Sequence, residues 1–243
     1  MYRTATYIKR DMRRWLRSPL NILSTLAMPA AWLVFVGLVL PVRSDYDNYL
    51  DFVTPGVLVL TMMNAGLAAG SSVMFDKTLG YLNKFLALPA PRESILAGKI
   101  LFFTMRGALQ SGVILLIALL IGATVRSPTY YAAMFLVLAV FGMTISALGA
   151  TVSLYLKDHD TYAAFQGMLS MPLYFASSAL IAYDDMPAAL QVVSRLNPLT
   201  YAIDSLRGLA AGAFPVVEMG VLSALCVAIV LVCSWKFRSV TMR

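Results

Sequence analysis

The sequence predicts an all-α polytopic membrane protein with six transmembrane helices. Three observations predict it: an apolar composition, a series of long uncharged runs, and basic residues sorted between those runs. Hydrophobic residues make up 60% of the 243 residues and charged ones 13%, with a mean hydropathy of +0.77. A soluble domain has about 45–50% apolar and about 25% charged residues, so most of this chain calls for a solvent other than water. The runs fall near 20–41, 53–75, 95–122, 129–156, 161–182 and 214–235. Each approaches or exceeds the ~20 helical residues that cross about 30 Å of hydrocarbon. The longest hydrophilic stretch is about thirty residues, under the ~50 of a small soluble domain, so residues 1–243 are read as one transmembrane domain. The first run is longer than the apolar region of a signal peptide and is read as a span.

The charges orient the spans. With the N-terminus inside, Arg3, Lys9, Arg10, Arg13, Arg14, Arg17, Lys77, Lys84, Arg92, Lys99, Lys157, Lys236, Arg238 and Arg243 face the cytoplasm. Only Arg43, Arg126, Arg195 and Arg207 face outward, and Arg106 stays within a span. That asymmetry places both termini in the cytoplasm of a cell-membrane protein. It also removes nucleic acid as the explanation for the net charge of +7, because the cations follow the bilayer rather than one binding face.

Residues 1–19 read as an interfacial helix. Ile8, Met12, Trp15 and Leu16 share a face, and Lys9, Arg10, Arg13, Arg14 and Arg17 cover the other; such a helix lies with its cations among anionic headgroups. Ser18-Pro19 breaks it before the first span. Met28-Pro29 and Met171-Pro172 should kink the first and fifth spans. Gly66 and Gly70, and Gly142, Ser146 and Ala150, make small faces that let helices approach closely.

Between the second and third spans, Leu79, Leu82, Phe85 and Leu86 recur at helical spacing, opposite Lys77, Asn83 and Lys84. The spacing predicts an amphipathic cytoplasmic helix over 76–91, stopped by Pro89 and Pro91. Such a helix, held by two spans, would pass a push from the cytosol into both. Between the fifth and sixth spans, residues 184–213 predict two short helices that dip in from outside and return. One begins near Asp185; the other takes Asn197 as N-cap and Pro198 as first residue. Asp204 and Arg207 are spaced to pair, with Gly208 and Gly212 ending the helix. Irregular backbone at membrane depth must be buried or line a cavity, so this hairpin is a candidate outer gate.

The stretch NPLTYAIDSLRGL within 184–209 resembles the closing segment of type-2 ATP-binding-cassette (ABC-2) permeases, which include drug-resistance exporters. The basic N-terminal helix, six spans, the helix after the second span and the hairpin before the sixth extend the likeness over nearly the whole chain. The resemblance implies a dimer, homo- or heteromeric, enclosing a pathway, with separate ATPase subunits bound below. It implies that 76–91 is the coupling helix, with Asp76, Lys77, Leu79, Leu82, Phe85 and Leu86 at the ATPase, and that Arg10, Arg13, Arg14 and Trp15 form its interfacial helix. It implies an outer gate built from Asn197, Pro198, Tyr201, Asp204 and Arg207. The family's Arg-Glu-x-Gly-Thr run is replaced by FDKTLGYLNKF, where Asp76 stands in for the glutamate. No G-x-x-x-x-G-K-[ST] run occurs, so this chain carries no cofactor of its own, and ATP and Mg belong to the partner.

Asn64, Arg106, Gln110 and Gln166 are the polar residues within the spans that serve either the pathway or packing. Arg106 is expected to snorkel or to meet an inner carboxylate such as Asp158. His159, between Asp158 and Asp160, reads as part of a solvated turn rather than a metal site, and Glu218 is spaced to meet Arg195 or Arg207. No catalytic set is visible, so an enzyme is not expected. An ion-driven secondary transporter would need inverted repeats and midplane carboxylates, and neither is found. The cargo is expected to be apolar or amphipathic, a drug or lipid-like molecule, with lipid-linked polysaccharide as the alternative.

Overall fold

A computed structural model describes residues 2–39, 49–80, 92–181, 183 and 186–240. The described residues form helices α1 (Tyr2–Leu16), α2 (Pro19–Val39), α3 (Tyr49–Thr78), α4 (Arg92–Ile121), α5 (Pro128–Tyr155), α6 (His159–Phe175), α7 (Ala188–Leu196), α8 (Pro198–Ala210) and α9 (Val216–Val240). Five of them, α2, α3, α4, α5 and α9, are long and apolar enough to cross a membrane. The place of the expected fifth span is taken by α6, whose 17 residues reach about 26 Å at 1.5 Å per residue. It continues three residues past Pro172 and then gives way to turns over 176–181. There the Ser177 amide and hydroxyl both donate to the Tyr174 carbonyl, at 3.2 and 2.6 Å. Serine side chains that satisfy the backbone locally compete with helix continuation, which the hydropathy of the run does not register.

Helix α3 is the hub. It is buried from Leu50 to Met74 and packs against α2, α4, α5, α6 and α8. Its contact with α5 rests on small residues. A Cβ at Gly66 would meet Ile145 and the Ser146 amide, and one at Gly70 would overlap the Gly149 carbonyl and the Tyr162 hydroxyl. Tyr162 on α6 donates to the Leu67 carbonyl at 2.6 Å, so three helices close on this one face. Helix α9 packs on α5 and α8 and leaves much of its apolar surface facing outward, as a lipid-facing helix does.

Helix α1 lies against α4. Trp15 is buried with Ala69, Phe102 and Phe103, and Ile8 and Met12 cover that cluster. Leu16, expected on the same face, is instead 57% exposed. The Ser18 amide closes the turn on the Trp15 carbonyl at 2.9 Å, and α2 starts at Pro19.

Candidate functional site

The charged side chains collect at the two ends of the helix bundle, and α3 joins them. At one end lie α1, Asp76, Lys77, Lys99 and Lys236, the last over the Tyr155 ring. At the other lie Asp51, Arg126, Asp204 and Arg207. The 30 residues of α3 make a strut of about 45 Å between them.

At the first end, Asp76 and Lys77 belong to the last turn of α3 rather than to a separate helix. Leu79 follows in a turn, 64% exposed, and Gly80 at φ +70° closes it, a conformation glycine takes without cost. Leu82, Phe85 and Leu86, with the rest of 81–91, lie outside the described residues. Both charged side chains are used within the subunit. Asp76 forms an ion pair with Lys99 of α4, whose ammonium also donates to the Ser72 carbonyl and hydroxyl, each at 2.9 Å. Lys77 donates to the Leu154 and Leu156 carbonyls, at 3.2 and 2.7 Å. Those carbonyls close the C-terminal end of α5, where a cation also meets the negative end of the helix dipole. The C-terminal end of α3 is therefore fastened to α4 and α5 at once.

His159 adds a third fastening. It is the first residue of α6, not a solvated turn: its Nε2 lies 2.9 Å from the Ser71 hydroxyl and its ring 4.2 Å from that of Phe75. Asp158 caps this helix, accepting from the Thr161 amide at 2.7 Å and its hydroxyl at 2.8 Å. Those bonds hold the Asp158 carboxyl below its ordinary range.

Asp158 thus serves α6, and Arg106 turns elsewhere. Its guanidinium lies over the Trp15 and Phe103 rings, at 5.6 and 5.8 Å, and donates to Asn21 Oδ1 at 3.3 Å. Gln110, one turn on, donates to Thr25 at 2.7 Å. Asn21 and Thr25 are also one turn apart, so the pairs form a polar ladder between α2 and α4. Arg10 bonds its neighbour Asp11 at 2.8 Å, and Arg13 and Arg14 are exposed.

Deeper in the bundle, Asn64 borders an apolar slot of about 60 Å³ with Met28, Pro29, Trp32, Met171 and Tyr174. The Trp32 indole donates to the Tyr174 hydroxyl at 3.2 Å across it. Gln166 does not join this slot; its carbonyl accepts from Ser170 at 2.7 Å.

At the other end, Asn197 caps α8 as expected. Its side chain accepts from the Leu199 amide at 3.0 Å and donates to the Leu173 carbonyl of α6 at 2.6 Å. Pro198 takes the first helical position. Tyr201 donates to the Arg195 carbonyl at 2.7 Å, bracing α8 on α7. Asp204 and Arg207 pair at 3.9 Å, and Ser178 donates to Asp204 at 2.7 Å. Arg207 also donates to the Phe52 and Ala179 carbonyls, at 3.1 and 3.2 Å, and stacks 3.8 Å from the Phe52 ring. With Arg195 beside the Tyr183 ring and hydroxyl, both arginines expected near Glu218 find other partners. Gly208 lies within α8; the helix ends at Ala210, and Gly212 follows at φ +79°. Sequence spacing did not single out Asp51, which accepts from the Thr124 amide at 2.8 Å and lies 3.7 Å from Arg126. Arg126 then donates to the Ala210 carbonyl at 2.9 Å.

Helix α3 carries an ion pair and a helix-end clasp at one end; at the other, its Phe52 carbonyl accepts from Arg207 of α8 and its Asp51 carboxylate lies beside Arg126. The ABC-2 type transporter family profile matches residues 2–210. The chain belongs to the ABC-2 type transporter family. A protein named as a transport permease, ycf38, of Cyanophora paradoxa is 32% identical over 210 residues, covering 82% of this chain and 71% of that relative. The daunorubicin resistance ABC transporter permease protein DrrB1 of Streptomyces coeruleorubidus is 25% identical over 243 residues, covering 99% and 84%. Nodulation protein J of Rhizobium leguminosarum bv. viciae is 25% identical over 205 residues, covering 82% and 78%. This ABC-2 chain is thus a multi-pass membrane permease, with α3 in polar contact with neighbouring helices at both of its ends.

Proposed function

We propose that the chain is the membrane subunit of an ATP-driven exporter, working as a dimer with a pathway between protomers and energised by a separate ATPase. Both termini and residues 76–91 face the cytoplasm, where the ATPase binds. ATP binding and hydrolysis there displace the Gly80 end of α3. The observation that carries the reading is the double fastening of that end, Asp76 to Lys99 and Lys77 to the α5 carbonyls. Through it, one push moves α3, α4 and α5 together. The far end of α3 holds α8 through Arg207, so the same motion reaches the hairpin over 184–213, the outer gate.

The cargo is apolar or amphipathic. The slot beside Asn64 is almost wholly apolar, and a relative is named for daunorubicin resistance. The test uses the chain reconstituted in vesicles, with and without an ABC ATPase subunit from the same genome, and daunorubicin as probe. ATP-dependent movement that requires both proteins supports the reading. Movement driven by an ion gradient, with the permease alone, refutes it.

A further inference from the structure

A cleft of about 840 Å³ lies where α1 crosses the inner halves of α3 and α4, a size that suits a small-molecule headgroup. It presents Arg10, Arg14 and Arg106 with one carboxylate, Asp76, and an adjoining pocket of about 380 Å³ that shares those four residues adds Lys99 and Asp11. Those carboxylates are engaged, Asp11 by Arg10 and Asp76 by Lys99. Among the described residues, Arg14 and Arg106 have no carboxylate partner, and the Arg106 Nε is buried with no acceptor. Its apolar lining is Ala68, Phe75, Leu79 and Phe103, the last beneath the Arg106 guanidinium. The cleft therefore combines cationic and apolar lining, and Trp15, a residue type that favours the membrane interface, lines the adjoining pocket.

We propose that this cleft is a binding site for an anionic phospholipid, the phosphate held by Arg14 and Arg106 and the acyl stem laid along Phe75 and Phe103. The spacing fits the ligand. Lys99 and Arg106 are two turns apart, about 10 Å along α4, so the cations run from headgroup level into the acyl region. Guanidinium groups chelate phosphate oxygens with two parallel hydrogen bonds, and a partly desolvated site strengthens them. A soluble anion would use the cations but leave the apolar wall unfilled; a zwitterionic lipid would fill the wall but leave the excess positive charge unanswered. Because α1 and α3 both line the cleft, an occupant fixes the interfacial helix against the strut. The inference concerns this cleft alone and does not rest on the proposed ATP coupling.

The test uses the full chain with Trp32→Phe and Trp235→Phe, which leaves Trp15 as the only indole, in mixed micelles containing dibrominated lipids. Dibromo-phosphatidylglycerol should quench Trp15 at about tenfold lower mole fraction than dibromo-phosphatidylcholine, the worth of one charge-assisted hydrogen bond. Arg14→Gln with Arg106→Gln should remove that preference, and Arg106→Lys should retain part of it. Arg17→Gln removes one charge from the turn that follows α1, outside the cleft, and should leave the preference intact. Should the double variant fail to elute as a folded species, Arg14→Gln alone, at an exposed position, should still lower the preference severalfold. Equal quenching by the two lipids overturns the proposal, as does an Arg17→Gln effect as large as that of the double variant. Loss of the preference on adding millimolar inorganic phosphate would assign the site to a soluble anion and overturn it as well.

Discussion

Replacing Asp76 with Asn strips the Lys99 ammonium of its only carboxylate partner among the described residues. Breaking a fully buried ion pair costs about 3–5 kcal/mol, whereas an exposed pair is worth about 0–1 kcal/mol. Here the side chains are 12% and 22% exposed, and Lys99 keeps the Ser72 carbonyl and hydroxyl as acceptors. The cost should therefore fall between those limits, at about 2 kcal/mol. Lys99→Met should cost a similar amount, because it leaves the Asp76 carboxylate without its cation. The double variant should lose less than the sum, giving a coupling energy of about 1–2 kcal/mol between positions on different helices. The assay is reversible unfolding of the four proteins of this cycle in mixed micelles with increasing sodium dodecyl sulfate. Additive losses, with a coupling below about 0.5 kcal/mol, would refute the idea that this pair fastens α3 to α4.

Gly70→Ala should destabilise the bundle by about 1–3 kcal/mol, the range for overpacking a tight contact, because the added Cβ overlaps the Gly149 carbonyl and the Tyr162 hydroxyl; the same unfolding assay reads it. Asn197→Ala should cost about 1 kcal/mol for the lost cap and should speed hydrogen exchange at the Leu199 amide, whereas Asn197→Asp should preserve that protection. Asp158→Ala should speed exchange at the Thr161 amide, and Asp158→Asn should largely retain it. Because the folded Asp158 carboxyl is held below its ordinary range, its contribution to stability is complete above the unfolded carboxylate value. That contribution fades as pH falls through the lower, folded value, so exchange at Thr161 should accelerate only in strong acid.

What the sequence revealed was local, and what it hid was long-range. Asn197-Pro198 was legible because cap and first-turn preferences act over three residues, and Gly66 and Gly70 because a one-turn spacing is itself the packing signal. The amphipathic pattern of α1 likewise lies within one helix. Asp76 and Lys77 read as part of a separate amphipathic helix because their partners, Lys99 and the Leu154 and Leu156 carbonyls, are up to 79 positions away. A backbone carbonyl also leaves no mark in the composition of the chain. Arg106 was placed within a span, but whether it met Asp158 or Asn21 depended on how α1 and α2 lie over α4. The apolar run at 161–182 read as a full span because hydropathy does not weigh the serine-to-carbonyl bonds that follow Phe175. His159 was misread for a related reason: its partners, Ser71 and Phe75, belong to a helix that spacing alone cannot bring beside it.

The central claim is that force applied at the inner end of α3 passes through Lys77 into the rest of the bundle, and the coupling ratio tests it most directly. The complex of the chain with the proposed ATPase partner is reconstituted in vesicles, and cargo moved per ATP hydrolysed is measured for the wild type and for Lys77→Met. The account predicts that the variant complex assembles and hydrolyses ATP while transport falls, because the clasp on the Leu154 and Leu156 carbonyls is gone. An unchanged ratio would contradict it.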